Sequence, residues 1–276
     1  MATIVAGFCV PHDPLITGKP DAASPQQSGA VHAAFAHVRS RLEEREVDTV
    51  VVIGDDHYAM FSPGCLPSIL IGIGDLQGPL EPESFLRIPQ RRVPNHPAMA
   101  EHIMSFGFDK GFDWAVAKTL KLDHSTMVPI HLAVPEAVRT IPVYIGCGVV
   151  PFIRSQRCRE LGRMLLDAIS AWPGKERVAI LGTGGISHWV GMADYGRVNE
   201  EFDRGVLEMV ANGDIEGLIR MSDEHILGHA GNGALELKNW IVAMSAMPEL
   251  KPRIIAYEPV EPWITGLGFA ELGATA

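Results

Sequence analysis

The run DTVVVIGDDH (Asp48–His57) constrains this chain more than any other stretch. It starts as a β-branched strand of the kind buried on both faces, and it ends in three consecutive ionisable residues. A strand buried on both faces needs helices above and below it. The remaining sequence supplies them, because short apolar runs alternate with amphipathic stretches. Strands are predicted for TIVAGFCV (Thr3–Val10), SILIGIGD (Ser68–Asp75), TIPVYIGCG (Thr140–Gly148), RVAILGTGGISH (Arg177–His188, running into a glycine-rich loop) and PRIIAYEPV (Pro252–Val260). The segment Ser28–Val47 predicts a helix, with Val31, Ala34, Phe35, Val38 and Leu42 spaced near 3.6 residues. Further helices are predicted for His96–Phe108, with Asn95 as N-cap, and for Arg154–Trp172, Asn199–Asn212, Ile215–Met221 and Gly233–Met247. Residues 76–95, rich in proline and charge, are expected to be irregular. No linker or repeat divides the chain, so the expectation is one α/β domain over residues 1–276, with a mixed central sheet flanked by helices.

Composition narrows the function. With 23 basic and 33 acidic residues the formal charge is −10, which argues against nucleic acid or an anionic membrane as partner. No apolar run approaches the ~18 residues that cross a bilayer, and MATIVAGFCVPHDP lacks a basic n-region, so a cytoplasmic location is expected. Cys9, Cys65, Cys147 and Cys158 show no CxxC spacing and are expected as reduced, mostly buried thiols.

The informative residues are histidines at the ends of predicted strands, where open α/β sheets form their sites. His12 follows the first strand in VPHDP, His57 closes VVVIGDDH and His188 closes AILGTGGISH. A loop histidine is ordinarily a polar surface residue, but three directly after apolar β-runs form a pattern. A fourth, His124, lies in the polar segment KLDHSTMVP, while His32, His37, His96, His102 and His131 on or beside helices are read as structural or solvent-facing. Neutral imidazole ligates Zn, Fe and Cu, and two histidines with one carboxylate leave open positions suited to non-haem Fe(II) chemistry. GHAGNGALELKNW offers Glu236 on an apolar helix; a salt-bridged or surface glutamate is the other reading. GTGGIS lacks the third glycine of a dinucleotide fingerprint, so its glycines are expected to let backbone approach a ligand or to bring His188 into a pocket. No GxSxG, HExxH or P-loop motif is present.

Five pieces in order, PHDP, GDDH, LDHSTMVP, GTGGISHW and GHAGNGALELKNW, span residues 11–240, and through them the chain resembles the class III extradiol ring-cleavage dioxygenases. That group contains the catalytic β subunit of protocatechuate 4,5-dioxygenase. The resemblance implies Fe(II) held by His12, His57 and Glu236, His188 as catalytic base, and His124 as a second active-site histidine that acts on substrate or oxygen. It implies a catechol-like substrate and O2, with ring opening beside the two hydroxyls. Asp56 is a candidate to orient a metal-binding imidazole, and His229 a candidate neighbour of the ligand helix.

Several alternatives stay open. The same ligands suit Zn(II) and hydrolysis, and a relative with this fold can serve as a non-catalytic binding protein. The expected assembly is a homo-oligomer, with or without a small α subunit over the site. The segment Gln77–Pro97 reads as a lid whose Arg87, Arg91 and Arg92 either pair with a substrate carboxylate or sit on the surface.

Overall fold

The computed structural model describes residues 1–273. Nine strands form one mixed sheet: β1 Thr3–Val10, β2 Thr49–Gly54, β3 Ile69–Gly78, β4 Arg91–Val93, β5 Ala115–Lys121, β6 Arg139–Ile145, β7 Arg177–Thr183, β8 Arg253–Val260 and β9 Thr265–Gly273. The order is β4-β3-β6-β2-β7-β1-β9-β8, with β5 paired to β3. β6, β2, β7 and β1 are mutually parallel; β3 and β9 join them antiparallel. This is the predicted α/β class.

The parallel strands are buried along almost their whole length, as their β-branched composition demands. One face packs on the helices Pro97–Asp109, Ser155–Ala171, Glu200–Ala211 and Leu237–Ser245, and the other on Pro25–Glu44 and His124–Ala133. The sheet order decides where the site lies. β2, β7 and β1 are neighbours running the same way, so the loops after Gly54, Thr183 and Val10 leave the sheet side by side.

Several local expectations are corrected. β3 continues through Gly78, and residues 76–95 also hold the short helix Glu83–Leu86 and strand β4. The cap of the Pro97–Asp109 helix is His96, whose Nδ1 accepts from the Met99 amide, because the cap directly precedes the proline that opens the helix. Asn95 instead donates its amide to the Gly72 and Gly74 carbonyls. The predicted helix from Gly233 is a 3₁₀ turn, Gly233–Glu236, followed by Leu237–Ser245. Strands β5 and β9 and the helix Asp223–Ala230 lie in stretches left unassigned by the sequence pattern. Among the described residues no helix is long and apolar enough to cross a membrane. All four cysteines are free, three of them buried and Cys65 exposed.

Candidate active site and metal centre

Four of the eleven histidines meet at the shared edge of β2, β7 and β1. The ring centroids of His12 and His57 are 5.0 Å apart, those of His57 and His124 are 4.1 Å apart, and those of His12 and His124 are 5.7 Å apart. Glu236 reaches them from the 3₁₀ turn. Its Oε2 lies 3.2 Å from His12 Nε2, and its Oε1 lies 3.2 Å from His57 Nε2 and 3.4 Å from His188 Nε2. Two glycines make this approach possible. A Cβ on Gly184, which has φ of +145°, would sit 2.7 Å from Glu236 Cβ, and one on Gly233 would sit 2.0 Å from His188 Nε2.

The hydrogen bonds fix the tautomers. Thr183 spends its only proton on the Ile53 carbonyl, so its hydroxyl oxygen must accept from His12 Nδ1 at 3.0 Å. His57 Nδ1 lies 3.3 Å from Asp123 Oδ2, His124 Nδ1 lies 2.6 Å from Glu81 Oε1, and His188 Nδ1 lies 3.1 Å from the Ile186 carbonyl. Each partner is an acceptor, so each Nδ1 carries the hydrogen and each Nε2 is left to the interior. Burial opposes the charge of Asp123, but His57 and His124 outweigh it and hold its pKa at about 2. Burial also opposes the charge of Glu236, and His12 and His188 drive its pKa well below the carboxylate range.

Two imidazole Nε2 atoms therefore converge on an ionised carboxylate at 3.2 Å, and either a ring proton or a metal cation must lie between them. His12 Nε2 is buried and has no hydrogen-bond partner, although Glu236 lies within reach. The donor set His12, His57, Glu236 and Asp55, whose candidate ligand atoms lie within 4.8 Å of one another, fits a divalent metal. Asp55 was not singled out by the sequence. Its Oδ1 accepts from Asn239, and its Oδ2 stands 3.7 Å from His57 Nε2. The period-two rule of an extended chain was the available signal: in GDDH, residues 55 and 57 share a side and 56 faces away.

Asp56 accordingly turns to the Met60 and Phe61 amides and does not orient the ring of His57; Asp123 does. His229 is exposed, bonds the His225 carbonyl and stacks on His225 at 4.2 Å, away from the other histidines. Asp123 and Glu81 escaped sequence reading because their partners lie far along the chain. His188 is held from both sides: its amide donates to the Ala230 carbonyl, and Asp203 binds the amide and hydroxyl of Ser187. Burial opposes the charged form of His188, and Glu236 outweighs it, so its pKa rises.

A cavity of about 640 Å³ opens over the cluster. His12, His57, His124, His188 and Glu236 line its floor, and Leu15, Phe85, Val190, Tyr195 and Ile264 line its walls. Lys19 is the only lysine or arginine among its lining residues. Arg87, Arg91 and Arg92 do not line it; Arg91 and Arg92 flank a separate surface depression with Lys121, and from the predicted lid only Phe85 reaches the wall.

Comparison with known proteins places this architecture. Residues 6–268 match the family described as the catalytic LigB subunit of aromatic ring-opening dioxygenase. A 2,3-dihydroxyphenylpropionate/2,3-dihydroxicinnamic acid 1,2-dioxygenase of Rhodococcus globerulus is 26% identical over 312 residues, covering 94% of this chain and 95% of the relative. The enzyme of the same name from Comamonas testosteroni is 27% identical, with 93% of each chain covered. An uncharacterized Escherichia coli K12 protein of known crystal structure shares the fold at 11% identity, with a TM-score of 0.63 over 98% of this chain and 100% of that one. The family match runs from inside β1 to inside β9 and so encloses every residue at the floor of the cavity: the chain belongs to the family of the catalytic LigB subunit of aromatic ring-opening dioxygenases.

Proposed function

We propose that the protein is an Fe(II)-dependent extradiol dioxygenase that uses O2 to open the ring of a 2,3-dihydroxyphenyl compound with an acidic side chain. The observation that carries this reading is the convergence of Nε2 atoms on Glu236, each Nδ1 being tied down behind it. His12, His57 and Glu236 are the ligands, with Asp55 as a further oxygen donor. A bound ferrous ion supplies Lewis acidity toward the diol and redox contact with O2.

The chain does the rest. His188, whose Nδ1 is tied to the Ile186 carbonyl and whose Nε2 faces the cavity, takes a proton from a substrate hydroxyl. His124 faces the same space from the other side and serves proton transfer to oxygen. Leu15, Phe85, Val190 and Ile264 hold the ring and exclude water. Phe85, Val190 and Tyr195 give the cavity apolar and aromatic walls from its own chain, which is compatible with a single-component enzyme. Lys19, which lines the cavity, offers an ammonium to a substrate carboxylate. The names of the relatives support an acidic 2,3-dihydroxyphenyl substrate. Free and mostly buried thiols support a reducing, cytoplasmic setting.

Anaerobic loading with Fe(II), then O2 uptake with 3-(2,3-dihydroxyphenyl)propionate, 3-propylcatechol and catechol, tests the reading. Stoichiometric uptake with a yellow product is expected, fastest for the propionate. Absence of uptake from the iron-loaded enzyme, with ester hydrolysis by the zinc-loaded one, would replace it with a zinc hydrolase.

A further inference from the structure

We propose that Glu81 is a positioning residue for His124, forming with it a carboxylate–imidazole dyad that fixes which ring nitrogen faces the substrate. The inference rests on the dioxygenase reading for its consequence, but its geometry stands alone. Glu81 Oε1 lies 2.6 Å from His124 Nδ1 and 3.1 Å from the His124 amide nitrogen, so one oxygen accepts from ring and backbone together. The clasp aligns the imidazole with the start of the His124–Ala133 helix. Two backbone hydrogen bonds, Leu80 amide to Leu122 carbonyl and Leu122 amide to Gln77 carbonyl, both 2.7 Å, bring the Glu81 loop alongside.

Simple stability does not account for this placement. Glu81 Oε2 is buried without a hydrogen-bond partner, which is destabilising for a carboxylate. The neighbouring carboxylate of Asp123 is not a substitute, because it is engaged by His57, Ser125 and Tyr144. Without Glu81, the His124 ring would have no acceptor for Nδ1–H. It could then exchange tautomers or turn about its Cβ–Cγ bond, taking Nε2 away from the cavity. An outer carboxylate that orients an imidazole is typically worth about 10–100-fold.

The test combines kinetics with a direct view of the ring. Nitrogen-15 NMR of the full chain labelled at histidine and loaded with Zn(II), a diamagnetic ion, should show His124 protonated at Nδ1. In Glu81→Ala that signature should give way to a tautomer mixture. With Fe(II), Glu81→Ala should lower kcat about 10–100-fold, leave KM within about twofold and keep wild-type iron content. Glu81→Gln, whose amide oxygen still accepts, should recover much of kcat. In a His124→Ala background, Glu81→Ala should have no further effect on kcat. Wild-type kcat in Glu81→Ala, iron loss, or additive effects in the double variant would overturn the proposal. Should Glu81→Ala not fold, the wild-type spectrum still decides: His124 protonated only at Nε2 would rule the dyad out. A wild-type enzyme that cleaves no catechol would refute the dioxygenase reading while leaving the NMR result to judge the dyad.

Discussion

Two carboxylates in this molecule are each surrounded by basic groups, and the two clusters have opposite chemistry. Glu271, on β9, accepts from Arg41 Nε at 3.0 Å and from Arg253 Nη2 at 2.8 Å, with His37 Nε2 at 3.4 Å. Its partners are donors, and the cluster is complete as it stands. Glu236 meets the Nε2 atoms of two imidazoles whose Nδ1 protons point away, held by Thr183 and Asp123, so both rings and the carboxylate can turn to one cation. A histidine beside a glutamate is therefore not by itself a metal site; the hydrogen bond on the far side of the ring decides.

The sharpest way to break this contrast is to remove a ligand. Glu236→Ala or His12→Ala should abolish iron binding and O2 uptake together, a loss beyond the ~10–100-fold of an outer-shell change, read by elemental analysis and an oxygen electrode. His188→Ala should keep its iron and lower kcat about 10²–10⁴-fold, the usual contribution of a general base. Iron loss there would move His188 into the ligand set. Thr183→Val, which deletes the acceptor behind His12 together with the hydroxyl's own bond to the Ile53 carbonyl, should weaken Fe(II) binding about 10–100-fold in a metal-competition titration. An unchanged affinity would remove tautomer control from the account.

Changes at the other cluster should be small. Burial raises the pKa of Glu271, but Arg253 and Arg41 outweigh it and the net shift is downward. A depressed carboxylate pKa adds stability that is fully present above the unfolded value, about 4.3, and is lost as pH falls through the lower folded value. Glu271→Gln should therefore cost less than about 1 kcal/mol at pH 7, once solvent screening is allowed for, and the difference should vanish in acid. Urea unfolding at both pH values measures it, with iron content and kcat unchanged. Smallest of all, His229→Ala should leave both metal binding and turnover at wild-type levels, since that exposed ring touches His225 and not the cavity floor.

The sequence made the parallel centre of the sheet legible because β1, β2, β6 and β7 are uninterrupted apolar runs, and His12, His57 and His188 stand directly after three of them. It hid β9, where Gly266 and Gly268 depress strand propensity. Tertiary packing explains those glycines: a Cβ on Gly266 would fall 1.9 Å from Asp203 Oδ2, and one on Gly268 would fall 2.8 Å from Ile186. It hid β5 because this edge strand is largely exposed and carries Lys118, Thr119 and Lys121. Within the site, Glu236 was nameable as a candidate from its apolar surroundings, but only the family resemblance made it a ligand; periodicity could not separate it from a salt-bridged or surface glutamate. Thr183, Asp123 and Glu81 were out of reach, since each acts on an imidazole through a contact that exists only after folding. Asp55 was within reach by alternation, since it shares a side of the chain with His57 while Asp56 turns away.

His57 and Glu236 are 179 positions apart in the chain, yet 3.2 Å apart in space. An ion gripping both would act as a removable cross-link, closing a long loop at the price of a single coordination sphere. Mass action then ties heat resistance to ion supply: an excess of 100 times the dissociation constant adds about 2.7 kcal/mol. Chelation should accordingly lower the melting temperature as well as silence the enzyme, and cells short of iron would carry a softer protein.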